Sequence, residues 1–182
     1  DTIRYFEIDP EVPVFADEYF TYMSDCRRRG VDVKVVMGDG RLSLQREPSK
    51  SFDVLVVDAF SGDAIPVHML TKQAFELYLD RLRDDGLLAI HVSNRSLDLK
   101  WIVVRIARDL DVPVAVIENS PNQEEQAFFL KNTWLLLSRN PLLLENPAIA
   151  PNLVRNQPGI ERVSLWTDDF SSLLEALWPP FR

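Results

Sequence analysis

Asp58 stands at the end of an apolar, β-branched run, and a loop of small residues follows it in FDVLVVDAFSGDAIP, Phe52 to Pro66. A carboxylate there lies where an open α/β sheet receives its ligands, beyond the carboxyl ends of the strands. The placement recurs: Glu7 and Asp9, Asp39, Ser93 and Asn94, and Glu118 and Asn119 each follow an apolar run. A carboxylate after one strand can accept both hydroxyls of a ribose, and an aspartate in the turn after the next can accept from an adenine amino group. Together these residue types describe an adenosine pocket, with Phe60 placed to cover the base from its loop. Aspartate and asparagine also end strands and cap helices for structural reasons alone, so the recurrence on successive strands carries the reading.

The elements that must position these groups follow from periodicity. Ile3 to Ile8 reads as a strand, with Asp9 as cap and Pro10 in the first turn of a helix that carries Val12, Phe15, Ala16, Tyr19, Phe20 and Met23 to Gly30. A second strand, Val33 to Met37, turns at Gly38-Asp39-Gly40 into a short helix over Arg41 to Arg46. Phe52 to Val57 is the third strand. Thr71 caps a helix with Ala74, Phe75, Tyr78, Leu79 and Leu82 on one face, closed by Asp84-Asp85-Gly86. Leu87 to Val92 is the fourth strand, Leu99 to Leu110 an amphipathic helix, and Val114 to Ile117 the fifth strand. Such alternation indicates an α/β fold, a mainly parallel sheet built from right-handed βαβ crossovers. Ala127 to Leu130 and Trp134 to Ser138 lie close together around Lys131-Asn132-Thr133, so the last strand is expected to run antiparallel. Beyond Pro141 a proline-punctuated stretch leads to a final helix around Phe170 to Leu177.

Composition narrows the class. The 182 residues, 46% hydrophobic, suit one domain spanning 1–182. A formal charge of −8 without a basic run disfavours nucleic acid and suits a cationic substrate. One cysteine, Cys26, allows neither an internal disulfide nor a zinc cluster, which fits the reducing cytoplasm. No stretch approaches the roughly 18 uninterrupted apolar residues of a membrane helix, so no membrane contact is expected from this segment.

The segments YFEIDPEV, VVMGDGRLSL, FDVLVVDAFSGDAIPVHMLT, GLLAIHVSNRSLDL and WTDDFSSLLEAL, in this order along nearly the whole chain, resemble the spermidine synthase family of polyamine aminopropyltransferases. The resemblance is strongest to spermidine synthase-like domains of the S-adenosylmethionine-dependent methyltransferase superfamily. It implies a Rossmann-like methyltransferase fold with an antiparallel terminal hairpin. It implies decarboxylated S-adenosylmethionine, or S-adenosylmethionine itself, as co-substrate, a polyamine acceptor such as putrescine, no metal, and a homodimer to which Trp134, Trp166, Trp178 and Phe181 are available. Glu7 would hold the ribose, Asp39 and Gly40 would border the adenine, Asp9 would belong to the same co-substrate site, and Asp58 would be the catalytic carboxylate.

The family's glycine-rich first strand has no counterpart here, so the chain is expected to be N-terminally incomplete, with a central strand supplied from upstream. The family's second aspartate, three positions beyond the catalytic one, falls on Ser61, and Asp63 is the substitute candidate. The acidic residue after the following strand is replaced by Ser93-Asn94. Asp58, with Asp63 or a water, would take the proton of an alkylammonium and leave the amine to attack beside a sulfonium. Methyl transfer, a catalytically silent nucleoside-binding scaffold and, lower in rank, NAD binding are the alternatives. His91, inside an apolar strand, and His68, near a helix start, read as structural; Arg27, Arg28 and Arg29 read as a solvated helix end, and Tyr5, close to Glu7, stays a candidate ligand contact.

Overall fold

The computed structural model describes residues 1–59, 65–94, 96–120, 132–155 and 157–177. The chain forms two compact units, Asp1–Pro48 and Ser49–Arg182.

In the first unit β1 (Thr2–Glu7) pairs in parallel with β2 (Asp32–Met37), Tyr5 opposite Val35 and Glu7 opposite Met37. The helix expected to run unbroken to Gly30 is instead two, α1 (Glu11–Tyr19) and α2 (Tyr22–Arg28). Phe20 between them is extended, with φ −128° and ψ 153°, and its ring lies 6.3 Å from that of Tyr22. An aromatic followed by a β-branched threonine is weak helix material, so the ring contacts of Tyr22, which also meets Tyr5 edge-on at 6.0 Å, decide the path. Gly30 stops α2 in the left-handed region, at φ 82°. Of the expected apolar face, Ala16 and Met23 are buried, while Val12, Phe15, Tyr19 and Phe20 are exposed. After β2 a short helix, α3 (Gly40–Leu44), follows the turn.

In the second unit β3 (Phe52–Val57), α4 (Lys72–Arg81), β4 (Leu82–His91), α5 (Lys100–Asp109), β5 (Val114–Asn119) and β6 (Asn132–Leu137) follow one another. The sheet order is β3-β4-β6-β5, with β3 parallel to β4 and β6 antiparallel to both neighbours. The antiparallel last strand is thus present, but Asn132 and Thr133 belong to β6 rather than to a turn. Thr71 caps α4 by accepting from the Ala74 amide, and Ala74, Phe75 and Tyr78 are buried beneath it. Leu99, Ile102, Val103, Ile106 and Ala107 are buried along α5 at the expected helical spacing. These faces close on Leu88, Ile90, Ala115, Leu135 and Leu137 of the sheet. The Lys72 ammonium, 2.9 Å from Asp109, ties the first turn of α4 to the last of α5. That hydrogen bond holds the Asp109 carboxyl below the usual carboxylate range.

The segment Leu82–Gly86, expected to close α4, instead begins β4. Phe52 pairs with Leu82 and Val54 with Leu87, so the ladder carries a bulge on β4. Gly86 sits at its tightest point: a β-carbon there would lie 3.0 Å from Leu82 Cδ2 and 3.1 Å from the carbonyl oxygens of Arg83 and Asp53. Ser138, buried, donates to the Gly86 carbonyl at 2.8 Å. The chain ends in short pieces, α6 (Pro141–Leu144) and α7 (Leu173–Leu177), the latter shorter than expected. Trp166 is fully buried and belongs to the core rather than to an interface. Among the described residues no helix is long and apolar enough to cross a membrane.

Gly86→Ala is expected to destabilise the protein by about 1–3 kcal/mol, the usual cost of overpacking, because two of the three crowding atoms are backbone carbonyls. Phe75→Ala, which empties a fully buried aromatic site, is expected to cost about 3–5 kcal/mol. Urea titrations followed by far-UV circular dichroism check both.

Candidate functional site

Asp58 follows β3 directly and His91 is the last residue of β4. The parallel ladder pairs Val57 with Ile90, so the next residue of each strand meets at the carboxyl edge. His91 Nδ1 lies 2.7 Å from Asp58 Oδ1. The other ring nitrogen, Nε2, lies 2.6 Å from Ser93 Oγ, and that hydroxyl accepts the Thr133 amide at 2.8 Å. An ionised carboxylate accepts only, so Nδ1 is the ring nitrogen placed to donate to it, while Nε2 faces the Ser93 hydroxyl. The imidazole stacks on the Trp134 indole at 4.6 Å and 11°. The carboxylate remains half exposed, at 52%, while the imidazole side chain is 21% exposed.

Asn94 shapes the next turn, its Oδ1 accepting the amides of Ser96 and Leu97 at 2.8 Å each. The series Ser93, His91, Asp58 has the order of a hydrolytic triad. An oxyanion hole is what such a series needs, and among the described residues the two amides that follow in this turn are spent on Asn94. His91, which reads from sequence as a strand-interior residue, is the member of this cluster that sequence reasoning left out. The signal was its place two residues from Ser93 and Ala89, on the face opposite Leu88 and Ile90, whose side chains are fully buried.

The first unit carries the other acidic group. Glu7 ends β1, and its Oε1 accepts the amides of Ile8 and Asp9 at 2.8 and 2.9 Å. Asp9 Oδ1 accepts the Glu11 amide at 2.9 Å, but the cap position of α1 is Pro10, expected in the first turn, and no side chain caps the helix there. Asp39 follows β2 and caps α3, Oδ1 accepting the Leu42 amide at 2.8 Å, and Gly40 is the first residue of that helix. Gly38, at φ 133°, makes the turn that a side chain would strain, and its amide donates to the Glu7 carbonyl at 2.8 Å. Glu7, Asp9, Asp39 and Gly40 thus share one end of the β1-β2 pair. Beside them a cavity of about 510 Å³ is lined by Asp9, Glu11, Val12, Phe15, Ala16, Phe20 and Tyr22. Its size is within the range of small-molecule pockets. Burial, and then Tyr22, pushes the Tyr5 phenol up, so it remains a neutral donor.

Other expected residues have different settings. Phe60, Ser61 and Asp63 lie outside the described residues, as do Ala127 to Leu130, Trp178 and Phe181. Glu118 accepts from Lys100 Nζ at 2.8 Å, and Asn119 pairs with Asn132 in the β5-β6 ladder. Arg27 and Arg28 sit in the last turn of α2, paired with Asp17 and Asp25. A cavity of about 220 Å³, lined in part by Val104, Arg108, Val114, Arg155 and Ile160, lies at the amino end of β5. It is therefore at the opposite end of the sheet from Asp58.

No protein-family model matches the chain. Over 92 residues it is 30% identical to a polyamine aminopropyltransferase of Vibrio vulnificus (strain CMCP6), a stretch that is 50% of this chain and 29% of that protein. A spermidine synthase solved with the transition state analogue AdoDATO is similar with a TM-score of 0.58 at 14% identity, over 97% of this chain and 58% of the other. A spermidine synthase from Thermotoga maritima is similar with a TM-score of 0.51 at 16% identity, over 75% and 44%. The chain thus spans less than two thirds of each. The resemblance read from the motifs is borne out in these relatives, and the Rossmann-like fold with it.

Asp39→Ala removes the α3 cap and is expected to cost about 0.5–2 kcal/mol, while Asp39→Asn, which keeps an accepting oxygen, is expected to cost little. Comparing the urea midpoints of the two variants separates the backbone role of this carboxylate from any that needs its charge.

Proposed function

We propose that this chain serves an aminopropyltransferase, moving the aminopropyl group of decarboxylated S-adenosylmethionine to a polyamine such as putrescine, with Asp58 as proton acceptor. The observation that carries the reading is the half-exposed Asp58 carboxylate, held at 2.7 Å by His91 at the carboxyl edge of a parallel strand pair in a Rossmann-like fold. In such folds the ligand crevice opens at that edge. The formal charge of −8 favours a cationic acceptor.

The chemistry makes a carboxylate necessary. An alkylammonium titrates near lysine, about 10.4, so freeing its lone pair at pH 7 costs roughly 4–5 kcal/mol. Asp58 takes that proton, and the amine nitrogen forms a bond to the carbon next to the sulfonium. The carbon–sulfur bond breaks with its electron pair on sulfur, which leaves as a neutral thioether. The product keeps one ammonium charge at the new bond, and the proton on Asp58 passes to solvent. The co-substrate carries the leaving group; the protein supplies position and charge.

In the same reading Glu7 and Asp9 hold the ribose, Asp39 and Gly40 border the adenine, Phe60 covers it, and Asp63 is the second carboxylate for the acceptor. Glu7 and Asp39 each commit one oxygen to backbone amides, which fixes the carboxylate plane in advance of any ligand. The cytoplasm, where polyamines and the co-substrate meet, is the compartment this function requires.

Incubation of the protein with each form of the co-substrate and putrescine or spermidine, followed by mass spectrometry, tests the proposal. Methylthioadenosine together with a lengthened amine is the expected result. S-adenosylhomocysteine in its place would assign methyl transfer, and binding without turnover a silent scaffold. Asp58→Asn is expected to cut turnover by about 100-fold or more at unchanged nucleoside affinity. Unaltered turnover would remove Asp58 from the mechanism.

A further inference from the structure

We infer that His91 is the positioning residue of Asp58: anchored by Ser93 and Trp134, it binds one carboxylate oxygen and presents the other to the acceptor ammonium. This rests on Asp58 acting as the proton acceptor proposed above. The torsion that turns a carboxylate about its Cβ–Cγ bond is broad and shallow, so a half-exposed aspartate samples many planes unless something holds it. Here Nδ1–H donates to Oδ1 at 2.7 Å, a charge-assisted bond that spends one oxygen and defines the direction of Oδ2.

The imidazole is itself held on its far side and on its face. The Ser93 hydroxyl meets Nε2 at 2.6 Å, the Thr133 amide fixes that hydroxyl at 2.8 Å, and the Trp134 indole lies against the ring face at 4.6 Å. The amide of Thr133 can only donate, so it occupies a lone pair of Ser93 and leaves the hydroxyl hydrogen for Nε2. The whole series is thereby polarised one way, from the β6 backbone to Asp58. The elements around the ring contribute Asp58 from β3, Ser93 from the segment after β4, and Thr133 and Trp134 from β6. Asparagine places an amide N–H where the Nδ1–H of histidine lies, whereas phenylalanine keeps the ring and its stack but has no donor.

Two measurements on the same protein test this. Kinetically, His91→Phe is expected to lower kcat by about 10- to 100-fold, the loss of one charge-assisted hydrogen bond, with KM for the nucleoside within about twofold. His91→Asn is expected to recover most of that loss. Equal turnover in His91→Phe and the parent protein, or equal loss in His91→Asn and His91→Phe, would overturn the assignment. Spectroscopically, the chain has two histidines, so a His68→Gln background leaves one imidazole to follow. Long-range ¹⁵N–¹H correlation near pH 7.5 is expected to show Nδ1 protonated and Nε2 bare, a preference that Asp58→Ala abolishes. An Nε2-protonated ring in the parent protein would overturn the inference without reference to any substrate. If no amine is consumed yet the ring keeps the Nδ1–H form until Asp58 is removed, the transferase reading fails and the positioning of Asp58 by His91 stands.

Discussion

The pairing of Asp58 with His91 depends on the register between β3 and β4, and that register is set far from the site. At the start of the ladder Phe52 faces Leu82; continued unchanged, that alignment would bring Leu88 opposite Asp58. Between Phe52 and Val54 β4 advances by more residues than β3, and from Val54 onward the strands run in step to Val57 opposite Ile90. The bulge therefore converts a leucine neighbour into a histidine neighbour at the other end of the strand. It persists because Gly86 lets Leu82 and the carbonyls of Arg83 and Asp53 approach, and because Ser138 satisfies the Gly86 carbonyl from below. A single residue without a side chain thus links the packing at the amino end of the sheet to the Asp58–His91 pair at its carboxyl end.

Period-two and period-3.6 patterns made the alternation of strands and helices legible, and the reading failed where a tertiary partner overrode a local signal. Arg83-Asp84-Asp85-Gly86 has the composition of a turn, yet it lies within β4, in the stretch between Leu82 and Leu87 where the ladder with β3 shifts register, so the pairings on either side of it override its local preference. The chain turns after Tyr19, where the Tyr22 ring meets that of Tyr5 on β1, a contact no local pattern announces. At the site the carboxylates were visible from their strand-end positions. His91 was not, because a single sequence carries no register, and an imidazole within LLAIHV looks like a buried residue until Asp58 is known to lie beside it.

Glu7 and Asp39 illustrate how a structural role and a binding role can reside in one side chain. Each uses one oxygen to satisfy amides that the end of a strand or the start of a helix leaves unpaired. A carboxylate held this way loses rotational freedom during folding, so a ligand that meets it does not pay to order it. Strand-end acids that look like mere caps are for this reason well suited to a nucleoside pocket. Capping alone does not establish one, and the charge of Asp39 rather than its oxygen is the property that distinguishes the two roles.

The antiparallel strand β6 explains why support for Asp58 comes from the far end of the sequence. In a wholly parallel sheet every strand brings its carboxyl end to the ligand edge, and the groups that emerge there continue into turns and crossovers. Because β6 runs the other way, its first residues lie beside the last residues of β4: His91 pairs with Trp134, and the Val92 amide donates to the Thr133 carbonyl at 3.0 Å. That edge gains an N–H donor, from Thr133 to Ser93, and an indole surface for the imidazole, both rooted in a strand hydrogen-bonded on two sides. Leu135 and Leu137, fully buried, anchor the same strand in the core. The orientation of Asp58 is therefore transmitted from the interior through regular backbone, and the half-exposed carboxylate inherits the rigidity of a core strand rather than the freedom of a loop.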